Sequence, residues 1–415
     1  MKNLLFPFLA CFLITACNPT TPPATEPEVE TTNPVADSLT AELDTFYQQG
    51  HITGLAVAVV SEDEVLYTNG FGYADLHMQK PYTENTVQNI ASISKTLIGI
   101  ALVKAQELGK LQLDDPINDY LPYEVVNPHF PEDVITIRHL TTHTSSIIDT
   151  ELYDGESYIL HSRQHDKADR EQVVPEEFKP NDEDLPMAEF LQNFLDQEGE
   201  WYAQENFLEK RPGAFFEYTN IGATLAAQVL EYATGTNFAD FTRQHILLPL
   251  GMESSGWSYD KIDFNQHSTL YSDSIAELPF YYLVTYPDGG LRTSSADFAL
   301  YLQELIRGYA GKGTILSPEG YEAFYTQQMN DSQFEERDAE WTYNDEYDFG
   351  VFIGFAAETY IGHTGGDPGV ASFMFFDKEK KIGRFLMINT DLNSQEGVDE
   401  FFGIWEKLKE YEDRL

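Results

Sequence analysis

Three short stretches of this 415-residue chain carry side chains of the kind that open a carbonyl bond. The first reads Asn89-Ile90-Ala91-Ser92-Ile93-Ser94-Lys95. Ser92 opens an apolar helical run through Leu97, Ile100, Ala101 and Leu108 that stops at Gly109. A serine in the first turn of a helix sits where unpaired N–H groups and the helix dipole favour negative charge. Lys95, three residues on, shares its face. An ammonium buried there releases its proton more readily than one in water, which suits it to take the serine proton. A bare Ser-x-x-Lys is a weak signal, because Ser258 and Lys261 repeat it. That copy follows a Gly-Trp turn, and no apolar helical run succeeds it.

The second stretch reads Pro212-Gly213-Ala214-Phe215-Phe216-Glu217-Tyr218-Thr219-Asn220-Ile221-Gly222. Its pattern places Tyr218 and Asn220 just before a long helix reaching Glu231. A phenol there can move a proton to a leaving group, while the amide holds a substrate carbonyl and the lysine. Tyr67-Thr68-Asn69 repeats the spacing inside a hairpin, with no helix after it. The third stretch, Gly362-His363-Thr364-Gly365-Gly366, is expected to precede a strand. Its glycines let a backbone edge approach a substrate, and the Gly366 N–H can complete an oxyanion hole with that of Ser92.

The elements around these stretches form a consistent plan. Asp37-Ser38 starts a helix with Leu39, Leu43, Phe46 and Tyr47 on one face, ended by Gly50. Strands are expected over 55–60 and 64–67, with a second turn at Asn69-Gly70. The middle, from about 92 to 307, is mostly helical by periodicity. Strands return over 347–354, 370–377 and 383–390, and a last amphipathic helix carries Phe401, Phe402, Trp405 and Leu408. One sheet closed by the two ends, about 38–90 and 285–415, would then carry a helical insertion over about 91–284. Within the insertion, 150–210 is acidic and broken by Pro175, Pro180 and Pro186. It reads as an excursion over the surface that rims the site. His161 and His165 lie four apart but lack a third ligand and sit beside Arg163 and Lys167, so no metal is expected.

Apolar residues make up 42% and aromatics 13%, which is a globular composition. With 25 basic against 69 acidic residues the net charge is −44. That excludes a nucleic-acid phosphate binder and docking on an anionic membrane by charge, and suits a salty exterior. The two cysteines, Cys11 and Cys17, precede the globular part, leaving it no disulfide, zinc site or thiol nucleophile. Met1-Lys2-Asn3 followed by an apolar stretch to Ile14 reads as a secretory signal over 1–16. Ile14-Thr15-Ala16-Cys17 resembles a bacterial lipobox, so Cys17 is expected to carry a lipid anchor. A Pro/Thr/Glu-rich tether over 17–37 leads to the catalytic part, 38–415. The protein is expected to be exported and held on an envelope membrane, facing periplasm or exterior, with the lipid as its sole membrane contact.

In this order, Ser-x-x-Lys, Tyr-x-Asn and His-Thr-Gly resemble the signature of the serine β-lactamase and penicillin-binding superfamily. The tyrosine variant is similar to class C β-lactamases, related D,D-peptidases and family VIII esterases. Leu140-Thr141-Thr142-His143-Thr144-Ser145, Pro249-Leu250-Gly251-Met252 and Gly289-Gly290-Leu291-Arg292-Thr293-Ser294 extend the likeness. The resemblance implies an α/β (α+β) fold, an antiparallel sheet flanked by helices plus an all-helical second domain, with the site between. It implies Ser92 as nucleophile and Lys95 and Tyr218 as proton carriers. Asn220, His363, Thr364, Gly365 and Gly366 would meet the substrate, and no cofactor is needed. His363 stands where dedicated β-lactamases carry lysine, Ser146 where relatives carry glycine, and the 150–210 excursion is long. The expected function is a serine hydrolase acting through an acyl-enzyme on a small ester, amide or D-amino-acid peptide, with weak or no β-lactamase activity. The alternatives are a penicillin-binding or β-lactamase protein of the envelope, and a catalytically idle binding protein.

Overall fold

The computed structural model describes residues 33–167, 170–334, 350–356 and 359–415. The expected signal, Cys17 and most of the tether lie outside these residues, as do 347–349 of the expected strand. The strands are β1 (Gly54–Ser61), β2 (Val65–Asp75), β3 (Lys80–Pro81), β4 (Gln88–Asn89), β5 (Tyr158–Leu160), β6 (Tyr281–Leu283), β7 (Arg292–Thr293), β8 (Gly354–Ala356), β9 (Tyr360–Asp367), β10 (Val370–Asp377) and β11 (Ile382–Ile388). Seven of them form one sheet in the order β3-β2-β1-β11-β10-β9-β8, antiparallel throughout. β1 from the early chain pairs with β11 from its end, so both ends of the sequence build one sheet.

This sheet is covered on both faces, which explains the unbroken apolar run of β1. Leu55, Val57 and Val59 point one way, with Leu386, Ile388 and Phe375, into a core made by the Pro34–Tyr47 and Gln395–Tyr411 helices. Ala56, Ala58 and Val60 point the other way, with Phe385, Met387 and Met374, toward the Ser295–Tyr309 helix and the helical layer behind it. Phe298 meets Phe385 there at 4.4 Å between ring centroids. The chain is mixed α/β, an antiparallel sheet flanked by helices.

Several local expectations change. Asn69-Gly70 is no turn: β2 runs through it, pairing Val57 with Asn69 and Ala56 with Gly70. A Cβ at Gly70 would lie 2.5 Å from the Thr83 Cα, so the glycine serves close backbone packing inside a strand. The 362–366 stretch does not precede a strand; it lies within β9. The helix after Tyr218 continues past Glu231 to Thr234, where Gly235 takes a φ of 72° and ends it. The 150–210 segment is also more than a surface excursion. Its Met187–Leu195 helix starts after Pro186 and buries Phe190, Leu191, Phe194 and Leu195 in the main core.

Candidate active site

Ser92 sits in a 3₁₀ turn, Ala91–Ser94, that feeds directly into the Lys95–Glu107 helix. Ala91 has a φ of 49°, in the left-handed region that an alanine enters only under constraint. Such a conformation costs on the order of 1–3 kcal/mol and persists where neighbours over-determine it. The neighbours are present. β4, just before the turn, pairs with β7. Ile90 N–H donates to the Leu291 carbonyl at 3.1 Å, and Leu291 N–H to Ser94 Oγ at 3.2 Å. Ser372 Oγ on β10 donates to the Ile90 carbonyl at 2.8 Å. Gly365 lets β9 approach this turn, because a Cβ there would stand 2.4 Å from the Ile90 oxygen.

Lys95 is wholly buried. Its Nζ donates to Ser92 Oγ at 2.9 Å, to Asn220 Oδ1 at 2.7 Å and to the Asp288 carbonyl at 2.9 Å. It stands 5.0 Å from the centre of the Tyr218 ring. Asn220 is the first residue of the Asn220–Thr234 helix, whose cap Thr219 accepts from Gly222 N–H at 3.1 Å. Asp149 braces this end from outside, accepting from Asn220 N–H at 2.7 Å, Ile221 N–H at 2.9 Å and Thr219 Oγ1 at 2.8 Å. Tyr218 stacks on His143 at 4.5 Å, and the Nδ1 of His143 accepts from Thr219 N–H at 3.2 Å.

His363 on β9 is buried, its ring 6.2 Å from that of Tyr218 and its Nδ1 2.6 Å from the Thr364 oxygen. Gly365 shares its face, while Thr364, half-buried and opposite Phe373, and Gly366 take the alternate face. A Cβ at Gly366 would meet nothing within 4 Å, so that position is open. β8 pairs with β9 only as far as Gly362, so among the described residues the edge beyond it is not covered by a strand. The structure thus draws Ser92, Lys95, Tyr218, Asn220, His363 and Gly365 to one place. A serine hydroxyl in contact with a buried amine, beside a phenol and an accessible strand edge, can be deprotonated and can present its oxygen to a carbonyl.

Three contributors were missed in the sequence. Asp149 has no local signal. His143 lies inside the matched 140–145 stretch, yet nothing in its spacing announces a stack on Tyr218. Asp288 directly precedes the Gly289-Gly290 pair; its backbone oxygen takes Lys95, and its carboxyl accepts from Tyr153 at 3.0 Å and Thr224 at 2.9 Å. Burial pushes that carboxyl up to about 6, against the pull of Lys95 and of its hydroxyl donors.

The decoys separate cleanly. Ser258 Oγ donates to Asp260 at 2.5 Å, and Lys261 pairs with the same carboxylate at 3.3 Å. A cavity of about 400 Å³ beside Ser258 is walled by Trp257, Tyr259, Tyr282 and Tyr286 and includes none of the three motifs. Tyr67 and Asn69 bond each other at 3.1 Å within β2. His161 packs on Tyr259, and the His165 side chain lies outside the described residues. Among the described residues no group of three His, Cys, Asp or Glu could hold a metal ion, and no helix is long and apolar enough to cross a membrane. Ser146 has a φ of 68°, which accounts for a glycine preference at that position.

Comparison with known proteins gives the family and the fold. The sequence is 25% identical over 364 residues to penicillin-binding protein 4* of Bacillus subtilis, covering 82% of this chain and 69% of the relative. It is 22% identical over 360 residues to Protein flp of Staphylococcus aureus, of which it spans 61%. The fold matches a β-lactamase/D-alanine carboxypeptidase from Yersinia pestis with a TM-score of 0.65 and 18% identity, over 91% of this chain and 98% of that one. It also matches a D-amino acid amidase from Ochrobactrum anthropi with a TM-score of 0.63 and 20% identity, over 91% and 99%. The family model described as Beta-lactamase covers residues 37–409, and this chain belongs to that family.

Proposed function

We propose that the chain is a serine hydrolase working through an acyl-enzyme on a small ester, amide or D-amino-acid peptide. The observation that carries this is the contact of wholly buried Lys95 with Ser92 Oγ and Asn220 Oδ1. Ser92 Oγ attacks the carbonyl carbon, and its proton passes to the Lys95–Tyr218 pair. The oxyanion is met by the N–H groups of Ser92 and Gly366. The pair returns the proton to the leaving group as the carbonyl–leaving-group bond breaks. Water then attacks the Ser92 ester by the same route in reverse, freeing the acid and restoring the hydroxyl. The names of the relatives, penicillin-binding protein and D-amino acid amidase among them, fit acyl transfer of this kind. The test is intact-mass analysis after exposure to 4-nitrophenyl esters, D-peptides and β-lactams. The expected result is a transient acyl adduct mapping to Ser92 and absent in Ser92→Ala; an adduct that survives in that variant overturns the assignment.

We infer separately, from the lipobox-like Ile14-Thr15-Ala16-Cys17, that a lipid on Cys17 holds the catalytic part on a membrane. Cys17→Ala should move the protein from the membrane to the soluble fraction, leaving kcat/KM for a soluble ester unchanged. A wild-type protein that is already soluble and unlipidated removes the anchor and leaves the catalytic reading intact.

A further inference from the structure

β9 carries one more polar side chain toward the Ser92 turn, and the mechanism above does not use it. Asp367 is the last residue of β9 and has the same parity as His363 and Gly365. Its Oδ2 accepts from Asn89 Nδ2 at 3.4 Å, from a residue three before Ser92. Its Oδ1 accepts from Tyr158 at 2.9 Å, a tyrosine delivered by the 150–210 segment. Gly289 leaves room beside it: a Cβ there would stand 3.1 Å from Oδ2 and 3.7 Å from the Ala91 Cα. The carboxyl is thus fixed by two donors on the face of β9 that meets the Ser92 turn, one residue along the strand from Gly366.

The strand also orders what lies along the cleft. His363 is at the Tyr218 end, where the leaving group must be to receive its proton. Asp367 is four residues further along β9, about 13 Å at the rise of an extended strand. Between them is Gly366, whose N–H faces the oxyanion in the proposed mechanism. A substrate with its carbonyl at Gly366 and its leaving group toward Tyr218 therefore turns its acyl portion toward Asp367. Resting on the hydrolase reading above, we propose that Asp367 is the anchor for a positive charge on the acyl portion, so that the preferred substrates are amides or esters of acids bearing a free ammonium near the carbonyl, such as amino acids or peptides with an unblocked N-terminus.

The electrostatics agree with this assignment. Burial pushes the Asp367 carboxyl up to about 7; Tyr158, Lys95 and Asn89 oppose the shift and the neighbouring Asp288 adds to it. A carboxylate held in such surroundings gains most from a cation arriving in the site. As pH falls through that value the carboxyl takes up a proton and the attraction for an ammonium is lost.

The experiment compares the 4-nitroanilides of D- and L-alanine with their N-acetyl derivatives, using 4-nitrophenyl acetate as a neutral control. Wild type should favour the better free-amine anilide over its N-acetyl form by ten- to hundredfold in kcat/KM. Asp367→Asn should collapse that ratio toward one, and Asp367→Glu should restore part of it. Equal rates on the free and acetylated anilides overturn the proposal without any variant. A ratio unmoved by Asp367→Asn in a folded protein also overturns it. Failure to turn over even 4-nitrophenyl acetate, with no adduct on Ser92, strikes the hydrolase reading instead.

Discussion

Among the described residues Lys95, Arg292 and Arg384 are buried cations, and the first and last of them are held in different ways. Arg384 on β11 lies under the Gln395–Tyr411 helix, its Nε 3.2 Å from Glu412 and its guanidinium 4.5 Å from the Trp405 ring. Glu412 is nearly inaccessible and also takes Lys380 at 2.8 Å. Charge there is matched by opposite charge in direct contact, and a proton has no reason to move. Lys95, on the opposite face of the sheet, donates to a hydroxyl, an amide oxygen and a backbone carbonyl, and its charge is felt by the buried carboxyls of Asp288 and Asp367. One of its direct acceptors is the Ser92 hydroxyl, the group whose proton the proposed mechanism moves. One arrangement ties an ion pair under a helix, and the other joins a cation to the hydroxyl that the proposed mechanism deprotonates.

The comparison breaks first at Lys95. Lys95→Met keeps the length of the side chain and removes the charge. Turnover of 4-nitrophenyl esters should fall by about a thousandfold or more. Stability should fall by about 1–3 kcal/mol, the cost of leaving the Asn220 and Asp288 oxygens without this donor, far too little to account for the loss of turnover. A variant that keeps most of its activity removes Lys95 from the proton path, whatever its Tm. Glu412→Ala is the counterpart. It removes the Glu412 carboxylate from buried Arg384, and breaking a buried pair by taking away one partner costs about 3–5 kcal/mol. A denaturant titration should show that loss while kcat per folded molecule is unchanged. If kcat falls with stability, the two faces of the sheet are coupled and the contrast fails.

How far this contrast was legible in the sequence differs between the two regions. The sheet core was readable: the Leu39–Leu43–Phe46–Tyr47 face and the Phe401–Phe402–Trp405–Leu408 stripe follow from periodicity, with Phe46, Tyr47 and Phe402 only partly buried at the edge of that core, while the apolar run of β1 is buried against both cores in alternation. The motif residues were readable because Ser92 and Lys95 lie on one turn, and Tyr218 and Asn220 beside one helix start. Their supports were not. Asp149 reaches the Asn220 helix across 71 residues of chain, and Asp288 reaches Lys95 across 193. No local pattern encodes a contact of that range. Asn69-Gly70 failed in the opposite sense: a strong local turn signal was overridden by close packing of Gly70 on Thr83.

A smaller effect tests what His363 contributes beside Tyr218. The resemblance places a fixed lysine charge at that position in dedicated β-lactamases, where it meets a substrate carboxylate. A charge-assisted hydrogen bond of that kind is worth about 1.5–3 kcal/mol, roughly a ten- to hundredfold change. Wild type should therefore hydrolyse neutral aryl esters with a higher kcat/KM than cephalosporins, and His363→Lys should narrow the gap by that factor. Cephalosporins turned over faster than esters by the wild type would contradict this, as would a gap that the variant leaves in place.

The smallest effect concerns the brace rather than the chemistry. Asp149 supplies acceptors to two backbone N–H groups in the first turn of the Asn220–Thr234 helix and to the Thr219 hydroxyl. A carboxylate at a helix start satisfies donors that have no partner within the helix and complements the dipole. Losing such a cap costs about 0.5–2 kcal/mol. Asp149→Ala should lower stability by about that amount, far less than Glu412→Ala, and it should do one thing the other cannot. Asn220 is the residue whose backbone Asp149 holds and whose amide holds Lys95, so loosening the helix start loosens the proton carrier. A several-fold drop in kcat with KM nearly unchanged is expected, measured on a soluble ester at a temperature where both proteins are fully folded. Loss of stability with kcat intact would show that Asp149 only caps a helix and does not position Lys95.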